Sequence, residues 1–467
     1  MNIIKACATI NPIVTSPTVE MVNHAVYNDW KLAIQSLLQI RSHLTYNLII
    51  PYKFLFLLVK LATKIGSQQI VQMLLTFDQY LLHHALRLNF EETVEILLEN
   101  GADANSWNEN GFLPIHIAAR VDSLKNMQLL IKFGAIVDTR CLNGWLAIHH
   151  AIYKKRTHIV RFLIENGSDV NASVDSENCY TSIHIATEVG SPDIIEILIK
   201  AGANVNSRND YDAMPIHLAV SFGYLDCVKL MTRYGADINA RGPRSWRPIH
   251  FAVFKNFIEV VQYMLQNGAE VNPKHDDGAM PIHLAAKSGY IGIMELLIDN
   301  GADVVAIGKN GWLPLHYVAF SKNVKAAQLL IDNGGNTHST SDGGYTPIDL
   351  AIALGSESIF RFFLKNGAIV SQDSIQIAIK NHCMEIIEPL IEHGLDVNEK
   401  MGPFGNPAFY DAVECGCIRC VEALKECIKF GANTNLKDDE GKTTVEQAIA
   451  KGRINVFKFL SQNYNLK

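Results

Sequence analysis

A histidine returns along this chain at a nearly fixed step. Pro-Ile-His or Pro-Leu-His stands at 114–116, 215–217, 248–250, 281–283 and 314–316, and looser copies end at His149 and His184. From His116 to His316 the intervals are 33, 35, 33, 33, 33 and 33 residues; His83 lies 33 before this run and Asp349 33 after it. Eighteen residues beyond most of these histidines comes a second motif, read as GADAN at 101–105, GSDVN at 167–171, GANVN at 202–206, GADIN at 235–239 and GAEVN at 268–272. GADVV at 301–305 departs from it in the last residue. A period of this length implies small units that cannot bury an apolar face alone and must stack in a row.

One unit can be read in order. The proline suits the first position of a helix, where its missing N–H costs nothing. Small alanines two and three places after the histidine let a neighbouring helix approach closely. In 285–289 (AAKSG) a glycine turns the chain, and 291–298 (IGIMELLI) carries apolar residues at helical spacing. Gly301 then suits the left-handed end of that second helix. The polar link onward is expected to be a hairpin-like finger.

These two motifs, at fixed separation and in many copies, resemble the ankyrin repeat, with its Thr-Pro-Leu-His and Gly-Ala-Asp-Val-Asn signatures. The resemblance implies an all-α solenoid of helix-turn-helix units with hairpin-like fingers, and a function in protein recognition. Aligned on the residue two after the histidine, the units centre on 25, 62, 85, 118, 151, 186, 219, 252, 285, 318, 351, 378, 412 and 448. The expected organisation is a lead over 1–20, degenerate capping repeats over 21–79, regular repeats over 80–370, and divergent and capping repeats over 371–467. The family's threonine is replaced by Leu113, Leu146, Met214, Arg247, Met280 and Leu313 and kept at Thr181 and Thr346. Loss of that hydroxyl cap costs about 0.5–2 kcal/mol per helix in other contexts. The expectation is that Leu and Met compensate by packing, in a less rigid array.

Composition narrows the function. A net charge of −6 gives no basic footprint for nucleic acid. The nine cysteines are odd in number and mostly scattered, which points to reduced thiols and a cytoplasmic protein. The apolar stretch 44–63 contains Asn47, Pro51, Lys53 and Lys60, so it reads as buried helix and not as a membrane span. No Walker loop, HExxH or GxSxG is present, which argues against an enzyme and implies no cofactor.

Three constellations have competing readings. The periodic histidines could be a metal array, but they fall in different units and form a ladder, so each is expected to bond backbone at the start of its own helix. Cys415, Cys417, Cys420 and Cys427 are spaced C-x-C-x2-C-x6-C, unlike paired zinc-binding arms, and are expected to be core residues with no metal. The run Lys154, Lys155, Arg156 with His158 reads as a solvated helix end.

The residue two before each motif proline is Phe112, Trp145, Tyr180, Ala213, Trp246, Ala279, Trp312 or Tyr345. The resemblance implies that this position is variable and lies at the finger base, near the concave groove. Such rings either pack finger against finger or form a stripe of binding anchors. Arg120, Tyr153, Phe254, Lys287 and Phe320, four after each histidine, extend the same groove, and Phe222 lies one further on. The expected contact residues are Trp145, Tyr153, Tyr180, Arg244, Trp246, Arg247, Phe254 and Trp312. The expected partner is a protein, acidic where it meets the Arg244/Trp246 finger, bound by a monomer without nucleic acid or membrane insertion. A scaffold or adaptor leads; a host-targeted effector of an intracellular bacterium or virus would bind in the same way, and a metal protein or enzyme is the reading of another class.

Overall fold

The structure, a computed structural model, describes residues 52–64, 67–174, 179–401, 406–408, 410–438 and 440–463. The lead over 1–20, the repeat centred on Ala25 and residues 44–51 of the apolar stretch lie outside them. Two compact bodies divide after Asp210. Among the described residues the first holds five helix pairs, beginning at Tyr52, Leu81, Pro114, Ala147 and Ser182. The second holds eight, beginning at Pro215, Pro248, Pro281, Pro314, Pro347, Ser374, Tyr410 and Thr444.

Each regular pair follows from the repeat. In Pro281–Ser288 the proline opens the helix, and Ala285 and Ala286 are fully buried. Gly289, at φ 71°, turns the chain in the left-handed region, and Ile291–Asp299 returns with Ile293, Met294 and Leu297 buried. A fully buried side chain of this size stabilises by about 1.5–3 kcal/mol. The alignment alanine marks the same place throughout. Its carbonyl accepts the N–H five residues on at Ala62, Ala85, Ala151, Ala186, Ala219, Ala252, Ala285, Ala351, Ala378 and Ala448.

The apolar stretch ends in Tyr52–Lys64, a 13-residue helix with Leu55, Phe56, Leu58 and Val59 buried. Among the described residues no helix is long and apolar enough to cross a membrane. Strand pairing is slight: Lys400–Met401 with Asn406–Pro407, and single bridges Ser173–Thr181 and Lys437–Thr443. Most fingers are closed by one backbone bond instead. Cys141 donates to the Trp145 carbonyl, Gly242 to that of Trp246, and Gly308 to that of Trp312.

Where threonine is replaced, Leu113, Leu146, Met214, Met280 and Leu313 are each under a tenth exposed. Burial stands there in place of the hydroxyl.

Candidate partner-binding surface

The recurring histidine fixes everything around it. Nδ1 of His116, His149, His217, His250, His283 and His316 accepts the N–H of the residue three before, at 3.0–3.3 Å. That is the helix-start role the ladder implied. Nε2 has a second role, pairing with a carbonyl of the next finger at 2.9–3.2 Å, from His116 to Thr139, His149 to Ala172, His217 to Ala240, His250 to Pro273 and His283 to Ala306. One nitrogen accepts and the other donates, which is the neutral imidazole. Burial holds His116, His149, His250 and His283 neutral, lowering each to about 4.

The asparagine closing the second motif is a second clamp. Asn105 donates to the Gly134 carbonyl (2.9 Å) and accepts the Ile136 N–H (2.9 Å). Asn239 does the same to Gly268 and Glu270, and Asn272 to Gly301 and Asp303.

On this frame the tryptophans make one arrangement three times. Trp145 packs on His149, His150 and Tyr153, with centroids at 6.1, 5.0 and 5.7 Å. Trp246 packs on His250, Phe251 and Phe254 at 5.8, 4.9 and 5.7 Å. Trp312 packs on His316, Tyr317 and Phe320 at 6.5, 5.3 and 5.7 Å. The tryptophan is half-buried in each case, while the outer ring stays open: Tyr153 is 53% exposed, Phe254 52% and Phe320 40%. So the tryptophans pack within each cluster, and the rings left open to contact are the outer ones. The ring directly after the histidine (His150, Phe251, Tyr317) is a member that a search at four-residue offsets passes over.

Tyr180 stacks on His184 at 5.0 Å and donates to Glu188 at 2.9 Å. Arg120 lies over Phe112 at 5.3 Å. Phe222, outside the triplets, stacks on Tyr224. In the basic run, Arg156 and His158 both reach Asp122, at 3.0 and 3.3 Å.

The second body brings two of these clusters to one cleft of about 810 Å3. Trp246 and Phe254 line it together with Tyr317 and Phe320, and between them the aromatic position is Ala279. The small side chain leaves the opening that a third tryptophan would fill. Trp312 packs on Tyr317 and Phe320 but does not line the cleft. Arg244 is exposed at φ 56° on the finger tip, and Lys287 lies over the Phe320 ring at 5.5 Å. Lys309 is bound to Asp277 at 2.9 Å, and Asp276 is also in the lining. Three cations against two carboxylates leave a surplus of one.

Arg247 is not part of that charge. Its guanidinium pairs with Glu270 and the side chain is only 14% exposed. The finger therefore presents less positive charge than three arginines suggested. The signal was available: Glu270 follows Arg247 by 23 residues, the same step that separates His116, His149, His217, His250 and His283 from their carbonyls in the next finger. The cysteines divide as well. Cys427 is core, and burial pushes its thiol up to about 12; Cys415 and Cys417 lie at least partly open, and the Cys420 side chain is outside the described ones.

Comparison with known proteins agrees with the repeat geometry. The family model of ankyrin repeats matches at 54–141, 82–174, 116–210, 172–242, 216–308, 305–374 and 375–467. Among solved structures, the chain is similar to the human ASB11 ankyrin repeat domain, at 26% identity over 48% of this chain and 99% of that one, with a TM-score of 0.43. It is also similar to the ankyrin repeat domain of Bcl-3, described as a unique member of the IkappaB family. That match is 27% identical over 48% of this chain and all of the other, with a TM-score of 0.44.

Proposed function

Because the chain belongs to the ankyrin-repeat family, whose repeats generally serve as protein–protein interaction modules, we propose that it is a non-enzymatic scaffold or adaptor. The observation that carries this is the cleft flanked by open aromatic rings, each packed on the tryptophan of its own repeat. Exposed rings held in place need little ordering on binding, which is what an interface anchor requires. The contact set is Trp246, Phe254, Tyr317 and Phe320, with Arg244 and Lys287 at the edges. Trp145, Tyr153 and Tyr180 offer a second aromatic face on the first body, and Trp312 supports the cleft from beneath its outer rings. Arg247 holds the finger.

The partner is a protein segment with an apolar or aromatic side chain for the cleft and carboxylates to meet Arg244 and Lys287, captured by a monomer. The cytoplasm suits this role.

The test uses the outer rings, because each tryptophan also packs within its own repeat. Phe254→Ser with Phe320→Ser is expected to leave thermal unfolding within a few degrees of wild type and to remove bound protein from an affinity capture. Arg244→Glu with Lys287→Glu is expected to weaken the same capture most at low salt. An unchanged set of captured proteins in both variants would sink this reading of the cleft.

A further inference from the structure

The turns of two C-terminal repeats bring together three side chains that the binding surface does not use. His382 sits in the turn after Ser374–Lys380, Cys415 ends Tyr410–Cys415, and Cys417 precedes Ile418–Lys429. Their ligand atoms all lie within 4.8 Å of one another. Cys415 is exposed, and His382 and Cys417 are half-exposed, so a cation can reach them from solvent.

The frame does not ask for these residues. Position 382 needs only left-handed backbone, and His382 has φ 58°. The matching turn residue elsewhere is a glycine (Gly190, Gly223, Gly289, Gly355, Gly416 or Gly452), an asparagine (Asn89 or Asn256), Asp122, Lys155 or Lys322. The place of Cys417 is held by Ser191 or Ser356 in other repeats, and that of Cys415 by Ser288 or Ser321. Two thiols and an imidazole at three permissive positions are therefore additions to the fold.

We propose that His382, Cys415 and Cys417 form a binding site for a thiophilic d10 cation of the zinc type. An S2N donor set selects such an ion over the hard cations Mg2+ and Ca2+. Tetrahedral zinc, with Zn–S about 2.3 Å and Zn–N about 2.0 Å, places its ligand atoms roughly 3.5–3.8 Å apart. The observed limit of 4.8 Å is about 1 Å from that spacing. Gly416, at φ 70°, turns the chain between the two thiols. Cys417 stands at the N-terminal end of a 12-residue helix, where the dipole favours a thiolate. Three protein ligands leave one position for water or a fourth donor. The bound ion would tie the turn of one repeat to the turn of the next.

The substitutions that test this come from the protein's own repeats. His382→Asn, Cys415→Ser and Cys417→Ser each install a residue that another repeat tolerates at the same place. The full chain, reduced and stripped with chelator, is titrated with Zn2+ and separately with Co2+. Wild type is expected to bind one Zn2+ per chain and, with Co2+, to show thiolate charge-transfer and tetrahedral absorption. Cys415→Ser and Cys417→Ser should lose the charge-transfer band, and His382→Asn should weaken Zn2+ binding roughly tenfold or more. Cys179→Ser, an exposed thiol in the other body, should change nothing. Zn2+ binding that all three variants retain, Co2+ binding without thiolate absorption, or no binding at all would overturn the proposal.

Discussion

Repeats with a histidine at the third helical position combine two tasks in one residue, and repeats without one keep one task or the other. His283 closes its own helix through Nδ1 and holds the next finger through Nε2. Asp349 does only the first, accepting the Thr346 N–H (2.9 Å) and hydroxyl (2.7 Å). Glu446 does likewise with Thr443. Tyr410 does the second, its hydroxyl proton shared between the Leu436 and Lys442 carbonyls at 2.6 and 3.0 Å. Where one residue supplies both, threonine can be given up; where an acid supplies one, threonine returns beside it.

The largest consequence is in acid. The folded histidines are held near 4 while an unfolded one titrates near 6.5, so the unfolded chain binds protons that the folded chain refuses. Their stabilisation is complete above pH 6.5 and is lost as pH falls from 6.5 towards 4. At roughly 3 kcal/mol per group, the two such histidines in each body amount to a sizeable part of the ~5–15 kcal/mol stability of a domain. Hydrogen exchange followed from pH 7 to 4 should show protection over 281–332 falling steeply in that window. Protection over 410–463, which holds none of these histidines, should change far less. Glu446, lowered chiefly by the Thr443 backbone bond, loses its contribution only as pH falls through the ordinary carboxylate range. Equal loss in both regions would break the comparison.

His283→Ala is the next largest effect. It strands the Met280 N–H and the Ala306 carbonyl, both in buried residues, at about 1–3 kcal/mol each. Asp349→Ala removes bonds within one helix start only and should cost about 1 kcal/mol. Unfolding midpoints of the two variants measure the difference. Were they alike, the bond to the next finger would add nothing.

Tyr410→Phe removes the finger bond and leaves the ring. A loss of about 1–2 kcal/mol is expected, seen as faster exchange across 436–442 with the first-helix amides little changed. Faster exchange throughout 410–450 would mean that the hydroxyl supports the repeat as a whole.

What the sequence disclosed depends on whether a relation lies within one repeat or between two. The helix pairs, the turn glycines and the helix-start bond of His283 are local, so periodicity and residue type sufficed. The Nε2 bond, the Arg247–Glu270 pair and the meeting of His382 with Cys415 join residues of adjacent repeats, at separations of 23 or 33 residues. Nothing in either residue alone marks such a partner; only the stacking step does. Ala279 shows the same limit, since a gap in an aromatic series reads as an omission until its neighbours are seen to form the two sides of a cleft.

The smallest effect concerns one of the places where the clamp asparagine is replaced. Asn272 reaches Gly301 and Asp303 of the next repeat, but the equivalent residue one repeat on is Val305, 46% exposed, which has no amide to offer Gly334 or Asn336. The exposed valine gains little burial, so an asparagine there gives up little. Val305→Asn is expected to add about 0.5–1 kcal/mol, one net pair of partly exposed hydrogen bonds. Stability in a stacked array is a sum over neighbouring interfaces, so the gain should appear locally, as slower exchange at 334–336. The reverse change, Asn272→Val, should open the preceding junction by a similar amount. If Val305→Asn leaves exchange at 334–336 unchanged while Asn272→Val opens 301–303, the junction after Val305 is held by its packing and not by the clamp.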